Sequence, residues 1–239
     1  MNDVLNRVSR SLVDDVEHGV LPVLLLGLTM FTGVIDAVSI LALNRVFVAN
    51  MTGNVVFTGF ALVGIPGFRL DASLFALGGF LVGAWIAGTI APRLHGTRRG
   101  LILRVTVTAE LLLVALALLI GIGAGPHAGH VRLDLIAAIC AVALGGQNMA
   151  ARRLAVPDLT TSVLTMTLTG LAADGKAWSN PPVIARRILA VVSMLVGAIV
   201  GAVVSRDQDP QPGLILATAI LAAVVIATWI LRPRLSRLD

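Results

Sequence analysis

Two polar runs interrupt an otherwise apolar chain, and binding chemistry has its residues there. The first is Asn50-Met51-Thr52-Gly53-Asn54, and the second runs from Thr160-Thr161-Ser162 to Thr165-Met166-Thr167. Each opens a short apolar stretch, as a helix start does. A helix that starts inside a membrane leaves its first N–H groups without partners. In lipid each such group is costly unless satisfied. Thr and Asn side chains can cap them, and Gly permits an unusual turn. An anion or a polar solute can do the same, helped by the positive end of the helix dipole. The candidate binding residues here are Asn50, Thr52, Gly53, Asn54, Thr161 and Thr165. Capping of a broken helix is the alternative role for the same side chains.

Carboxyl groups come next. Asp36 lies well inside the first apolar stretch, in Gly33-Val34-Ile35-Asp36-Ala37. A carboxylate at membrane depth is expensive, so it should face protein or water. It could bind and release a proton, pair with a cation, or simply hydrogen-bond a neighbouring helix. Gln147 and Asn148 offer amides at the same depth in the second half, and they join Asp36 as candidate binding residues. Glu110, in the middle of another apolar stretch, is a second proton-coupling candidate. Arg104 reads as a snorkelling end residue. His127 and His130 fall in a loop without a carboxylate-rich or Cys-rich partner motif, so no metal is expected. The single cysteine, Cys140, excludes an intrachain disulfide and any multi-Cys metal site. No HExxH, phosphate loop or nucleophile elbow occurs, so neither an enzyme nor a cofactor is expected.

The elements that carry these residues follow from composition. The chain is 57% hydrophobic and 13% charged over 239 residues, with a mean hydropathy of +0.94. An ordinary soluble domain is about 25% charged, so there are too few charges to cover a water-facing surface. Six stretches are long enough to cross a bilayer: 21–43, 73–91, 101–122, 133–151, 188–204 and 213–231. Two more, 51–64 and 159–172, are short and broken by Thr, Asn and Gly. Fourteen helical residues span only about 21 Å, against a hydrocarbon core of about 30 Å. The N-terminal residues mix Asp3, Asp14, Asp15 and Glu17 with Arg and lack the order of a cleavable signal. A net charge of +5 does not point to nucleic acid, because the basic residues sit in short clusters between apolar stretches.

The halves resemble each other. Thr58-Gly59-Phe60-Ala61 matches Thr169-Gly170-Leu171-Ala172, and the same spacing sets Asp36 opposite Gln147 and Asn54 opposite Thr165. Leu81-Val82-Gly83-Ala84 matches Leu195-Val196-Gly197-Ala198 after a small loop insertion. Each half reads as span, short polar segment, span, span, which is an internal repeat. If the short segments re-enter without crossing, only four of the eighteen basic residues (Arg45, Arg69, Arg132 and Arg206) lie opposite the N-terminal side. If both segments cross, the split is nearly even. The positive-inside rule therefore favours six crossings with both termini cytoplasmic. The alternative is eight plain crossings with parallel halves. Three crossings per half invert the second half, a recurrent transporter design. The expected fold is an all-α membrane protein with six transmembrane helices, two short re-entrant or broken helices and two inverted repeats. Its expected divisions are a polar lead-in at 1–20, a first repeat at 21–122, a loop at 123–132, a second repeat at 133–232 and a basic tail at 233–239. Gly79/Gly83 and Gly197/Gly201 have the spacing of close helix contacts.

These passages resemble the YoaK family of bacterial membrane proteins, long labelled as a domain of unknown function. The likeness rests on Gly33-Val34-Ile35-Asp36-Ala37-Val38-Ser39 with Val46-Phe47-Val48-Ala49-Asn50-Met51-Thr52-Gly53-Asn54, on Gly145-Gly146-Gln147-Asn148-Met149-Ala150-Ala151-Arg152-Arg153-Leu154, and on Thr160-Thr161 with the Thr-rich helix that follows. It covers roughly residues 22–231. The second half departs from the pattern: its Thr-Gly pair comes late, at Thr169-Gly170. The resemblance implies a multi-pass protein of the inner (plasma) membrane and supplies no substrate. From the repeat, the interrupted helices and Asp36, the expected function is a small-solute permease with a midplane polar site. The alternative is a membrane interaction or stress-response protein without transport. The expected partners are the lipid bilayer and a small solute, with room for a homo-oligomer and no nucleic acid.

Overall fold

The computed structural model describes residues 12, 15, 18–93, 99–122, 129–162, 164–175 and 180–236. They form α1 (Leu21–Ala42), α2 (Met51–Leu62), α3 (Leu70–Ile90), α4 (Arg99–Gly121), α5 (His130–Leu154), α6 (Leu164–Ala173), α7 (Pro181–Val204), α8 (Pro210–Ile230) and a terminal turn, α9 (Arg232–Leu235). Prolines occupy the first turn of α1, α7 and α8, where a missing N–H removes no helical bond. Asp209 caps α8 by accepting from the Gln211 N–H. His127 and Lys176 lie outside the described residues.

Among the described residues six helices are long and apolar enough to span a membrane: α1, α3, α4, α5, α7 and α8. α2 has 12 residues and α6 has 10, giving about 18 and 15 Å of helix. The second short helix starts later than its apolar pattern suggests. Positive φ angles at Asp158 and Thr161, with turn bonds from Leu159 N–H to the Val156 carbonyl and from Ser162 N–H to the Thr160 carbonyl, hold 156–162 as a loop.

Helix direction decides the topology. Asn44, just past the end of α1, hydrogen-bonds His130 and Asp134 at the start of α5. Further along, Gln147 of α5 reaches Thr32 of α1. The two helices are therefore antiparallel, and the end of α1 shares a face with the start of α5. An even number of crossings must separate them. α3 and α4 supply two, so α2 turns back on the face it came from. Arg69, at the start of α3, pairs with Asp134 on that same face at 3.5 Å. The second half behaves alike. Arg187, at the start of α7, pairs with Asp158 before α6 at 2.9 Å and with Asp174 after it at 3.3 Å. Both short helices are re-entrant, from opposite faces.

The halves pack by exchanging partners. α1 lies against α7 and α8 of the second half, and α5 lies against α3 and α4 of the first. α1 and α5 form the centre, with 67% and 56% of their most apolar stretch buried, against 17% for α3 and 22% for α7. Phe31, Leu28, Ile35 and Leu144 are among the fully buried side chains there. Equivalent helices run antiparallel: Gly121 of α4 meets Leu214 of α8, while Gly100 of α4 meets Leu235 just past α8. The repeat is therefore inverted, about an axis in the membrane plane.

Glycines make the two main seams. A methyl group on Gly33 would overlap backbone atoms of Met194 and Ala198, and one on Gly197 would overlap the Met30 carbonyl. In the other pair, Gly145 faces Phe80 and Ala84, and Gly83 faces Val142, with the same overlaps. Superposing the seams sets Gly33 on Gly145. That moves the sequence register of the first spans by one residue, and Asp36 falls opposite Asn148 instead of Gln147. The apolar stretches align almost as well in either register, and only packing separates the two.

Candidate functional site

The site is built where the first span of each half meets the loop before its re-entrant helix. In the first half the chain leaves α1, turns through Asn44 and Arg45 at φ 57°, and dives back before α2 begins. The descending backbone cannot make helical bonds, so its N–H groups need acceptors. Asp36 supplies one: its Oδ1 accepts from the Val48 N–H at 3.2 Å and the Ala49 N–H at 3.1 Å. Asp36 itself is buried. Asn54 closes the turn from the other side. Its Oδ1 accepts from the Phe47 N–H at 2.9 Å, and its Nδ2 donates to the Phe47 carbonyl at 2.6 Å. Gly53 lies under the Phe47 ring, where a larger residue would collide. Phe47 stacks on Phe57, and Phe68 packs on Phe57 and Phe60, so four of the chain's seven phenylalanines staple this hairpin.

The second half uses amides for the same task. Gln147 Nε2 donates to Thr161 Oγ1 and to Thr32 Oγ1, both at 2.9 Å. Ser162 Oγ donates to Asn148 Oδ1. Gln147, Thr32 and Thr161 are fully buried, and Gln147 Oε1 has no hydrogen-bond partner among the described residues. Each half thus has a latch, a polar side chain of the first span that grips the loop before the short helix. Thr32 lies one turn before Asp36 on α1, so the Thr32–Gln147–Thr161 bonds tie the second latch to the helix that carries the first.

Asp36 is six residues from the end of α1, and Asn148 is six from the end of α5. Each latch is therefore about 9 Å below its own face. They flank the midplane from opposite sides. Of the residues singled out by sequence, Asp36, Asn54, Gln147, Asn148 and Thr161 come together in the latches. Asn50, Thr52 and Thr165 do not: all three are exposed on the flanks of the short helices. Glu110 sits elsewhere, between α4 and its neighbours. Among the described residues no group of three His, Cys, Asp or Glu side chains is placed to hold a metal.

Sequence reasoning missed the role of Thr32 and named Ser162 only as part of the second polar run. Thr32 has the look of an ordinary helix threonine, and its hydroxyl does bond the Leu28 carbonyl one turn back. Only the antiparallel crossing of α1 and α5 brings Gln147 to it. Each latch has a cleft at its open end, mixed in character at the first and mainly apolar at the second. A cleft of about 510 Å³ beside the first face is lined by Asn44, Arg45, Arg69, His130 and Gln208. Another of about 510 Å³ is lined by Asn148, Arg152 and Thr160 among others.

Comparisons with known proteins agree with a membrane location. The family model described as "Protein of unknown function (DUF1275)" matches residues 24–227. The chain is similar to the UPF0700 transmembrane protein YoaK of Bacillus subtilis (strain 168), at 30% identity over 190 residues, 75% of this chain and 82% of that one. No solved structure matches.

Proposed function

Because the chain belongs to the DUF1275 family of membrane proteins, whose description specifies no activity, we propose its function from the latches: a small-solute permease in a closed state. One observation carries the proposal. Two inverted halves each hold a re-entrant loop by a buried polar side chain of the first span, Asp36 in one half and Gln147 in the other, and Gln147 also bonds Thr32 of the opposite first span. Inverted repeats with interrupted helices support alternating access by rocking one half against the other. The glycine seams of α1 with α7 and α3 with α5 supply smooth surfaces for that motion. Opening the Asp36 latch connects the centre to the face of Asn44 and His130. Opening the Gln147–Asn148 latch connects it to the other face.

Asp36 occupies the position where an anionic ligand of the Val48 and Ala49 amides would sit. A solute that competes for those amides releases the latch. The mouths carry Arg45 on one side and Arg152 on the other, while Arg69 is paired with Asp71 and Asp134; the two arginines favour a small anion. The protein works without enzymatic chemistry, in the bacterial inner (plasma) membrane, with both termini cytoplasmic by the positive-inside rule. Its partners are the bilayer and that solute. The test is uptake into proteoliposomes across a panel of small anions and polar solutes. Wild type transports at least one, and Asp36→Asn alters its rate. Unchanged uptake of every transported solute in the mutant removes the latch from the mechanism.

One observation favours a second reading, a membrane interaction protein without transport. The central helices α1 and α5 are closely packed, with Phe31, Ile35, Leu28 and Leu144 fully buried, and Asn54 spends its amide on the Phe47 backbone. If the panel yields no uptake while the purified protein captures a membrane partner, the second reading holds.

A further inference from the structure

Glu110 is the twelfth residue of the 23 in α4, about 16 Å from the start of the helix. It is 1% exposed, and neither carboxyl oxygen has a hydrogen-bond partner among the described residues. It lines a cleft of about 240 Å³ with Gly83, Ile86, Val105, Thr106 and Gly146. The cleft exists because α3 and α4, although consecutive, both lean on α5 and leave a gap between them. Ile86, Ile90 and Val105 on its rim are exposed, so it opens sideways, toward lipid. Its walls are apolar apart from Glu110 and the Thr106 hydroxyl. From α5 the titratable group in mid-helix is Cys140, which is buried. α3 brings no titratable group to the cleft, and α8 carries none along its length. Arg104, on α4 itself, is turned over the Trp229 ring at 5.6 Å and lines a different pocket.

A carboxyl at mid-membrane depth with no internal partner is expensive and marks a site. The arrangements that leave no net charge there are the carboxylic acid alone, the acid hydrogen-bonded to a neutral base, and the carboxylate paired with a cation. We propose that this lateral cleft binds a small hydrophobic amine that arrives through the lipid, with its apolar body against Ile86 and Val105 and its nitrogen on Glu110. The amine crosses the hydrocarbon uncharged. On arrival the Glu110 O–H donates to the nitrogen lone pair, and transfer of that proton gives an ammonium–carboxylate pair. One O–H bond breaks and one N–H bond forms, and the cleft stays neutral overall. The site is separate from the latches, whose gripping side chains Asp36, Gln147 and Asn148 do not line it.

The test uses the full protein in lipid nanodiscs and dicyclohexylcarbodiimide, a lipid-soluble reagent for carboxylic acids. Peptide mass spectrometry reads labelling at Glu110. Phenethylamine is the amine probe, and 2-phenylethanol, with the same body and no basic nitrogen, is its control. The expected result is labelling of Glu110 in wild type, with phenethylamine protecting at a concentration about tenfold or more below the alcohol, the worth of one charge-assisted hydrogen bond. Ala87→Phe, which fills the cleft while leaving Glu110 in place, should suppress the labelling. No labelling at Glu110 overturns the lateral opening. Labelling that neither probe blocks overturns the amine site. Equal protection by both probes overturns the role of the carboxyl.

Discussion

Replacing Asp36 by Ala removes the single oxygen that the Val48 and Ala49 amides share at 3.2 and 3.1 Å. Both N–H groups are then buried without an acceptor, at about 1–3 kcal/mol each, or roughly 2–6 kcal/mol for the pair. Asp36→Asn keeps one carbonyl acceptor and loses the charge assistance, so it should cost only about 1–2 kcal/mol. The cost falls on the latch before it falls on the bundle, because the spans have their own packing. Hydrogen exchange of a peptide covering residues 46–50 measures it. Each 1.4 kcal/mol lost in local opening speeds exchange about tenfold. Asp36→Ala should therefore accelerate Val48 and Ala49 by about 30-fold or more, and Asp36→Asn by roughly tenfold. Amides in the middle of α8 should exchange as in wild type. Equal exchange at Val48 and Ala49 in all three proteins would refute the latch, as would an Asn variant indistinguishable from the Ala variant.

Gly33→Ala, Gly83→Ala, Gly145→Ala and Gly197→Ala each drive a methyl into a partner helix backbone and should lower thermal stability in detergent by about 2 kcal/mol or more. Gly59→Ala, with nothing near its new methyl, should be neutral or up to about 1 kcal/mol stabilising by helix propensity. Single cysteines at Arg45 and Gly67, in a Cys140→Ala background, should react with an impermeant thiol reagent from the same side of oriented vesicles; labelling from opposite sides would mean that α2 crosses. Arg187→Gln breaks the pairs with Asp158 and Asp174 and the bond to the Gly170 carbonyl, so limited proteolysis should cut sooner between residues 158 and 175. Cys140, fully buried, should resist N-ethylmaleimide until the protein is denatured.

The membrane class, the six spans and the two re-entrant helices are legible because lipid imposes length and composition strictly. A 22-residue run without charge beyond Asp36, such as α1, has few other uses. Charge placement then separates six crossings from eight, and the Asn44–His130 and Arg69–Asp134 contacts agree with it. The site is legible only in part. Asp36, Asn54 and Gln147 stand out because polar groups in apolar stretches are costly and must be answered. Asn50, Thr52 and Thr165 stand out equally, yet helix rotation turns them outward, and a helix of 12 or 10 residues has too little pattern to fix its rotation. The one-residue register shift between Asp36 and Asn148 has the same cause. Runs of Ala, Val, Leu and Gly align with themselves at several offsets, while a glycine against a carbonyl accepts only one. Thr32 was out of reach because its partner lies 115 residues away.

The exchange of partners between halves has a consequence for assembly. Each half leaves its first span almost bare of its own third and fourth, since α1 leans on α7 and α8 while α5 leans on α3 and α4. A half-length chain would therefore be unfinished alone, and two copies could complete each other only if inserted in opposite senses. Such a pair would depend on a population of chains entering the membrane both ways in equal numbers. Joining the two in one polypeptide guarantees the one-to-one ratio. It also sets different demands on the two parts, because the first can be held in the bilayer before the second exists but cannot close its glycine seams until the second arrives.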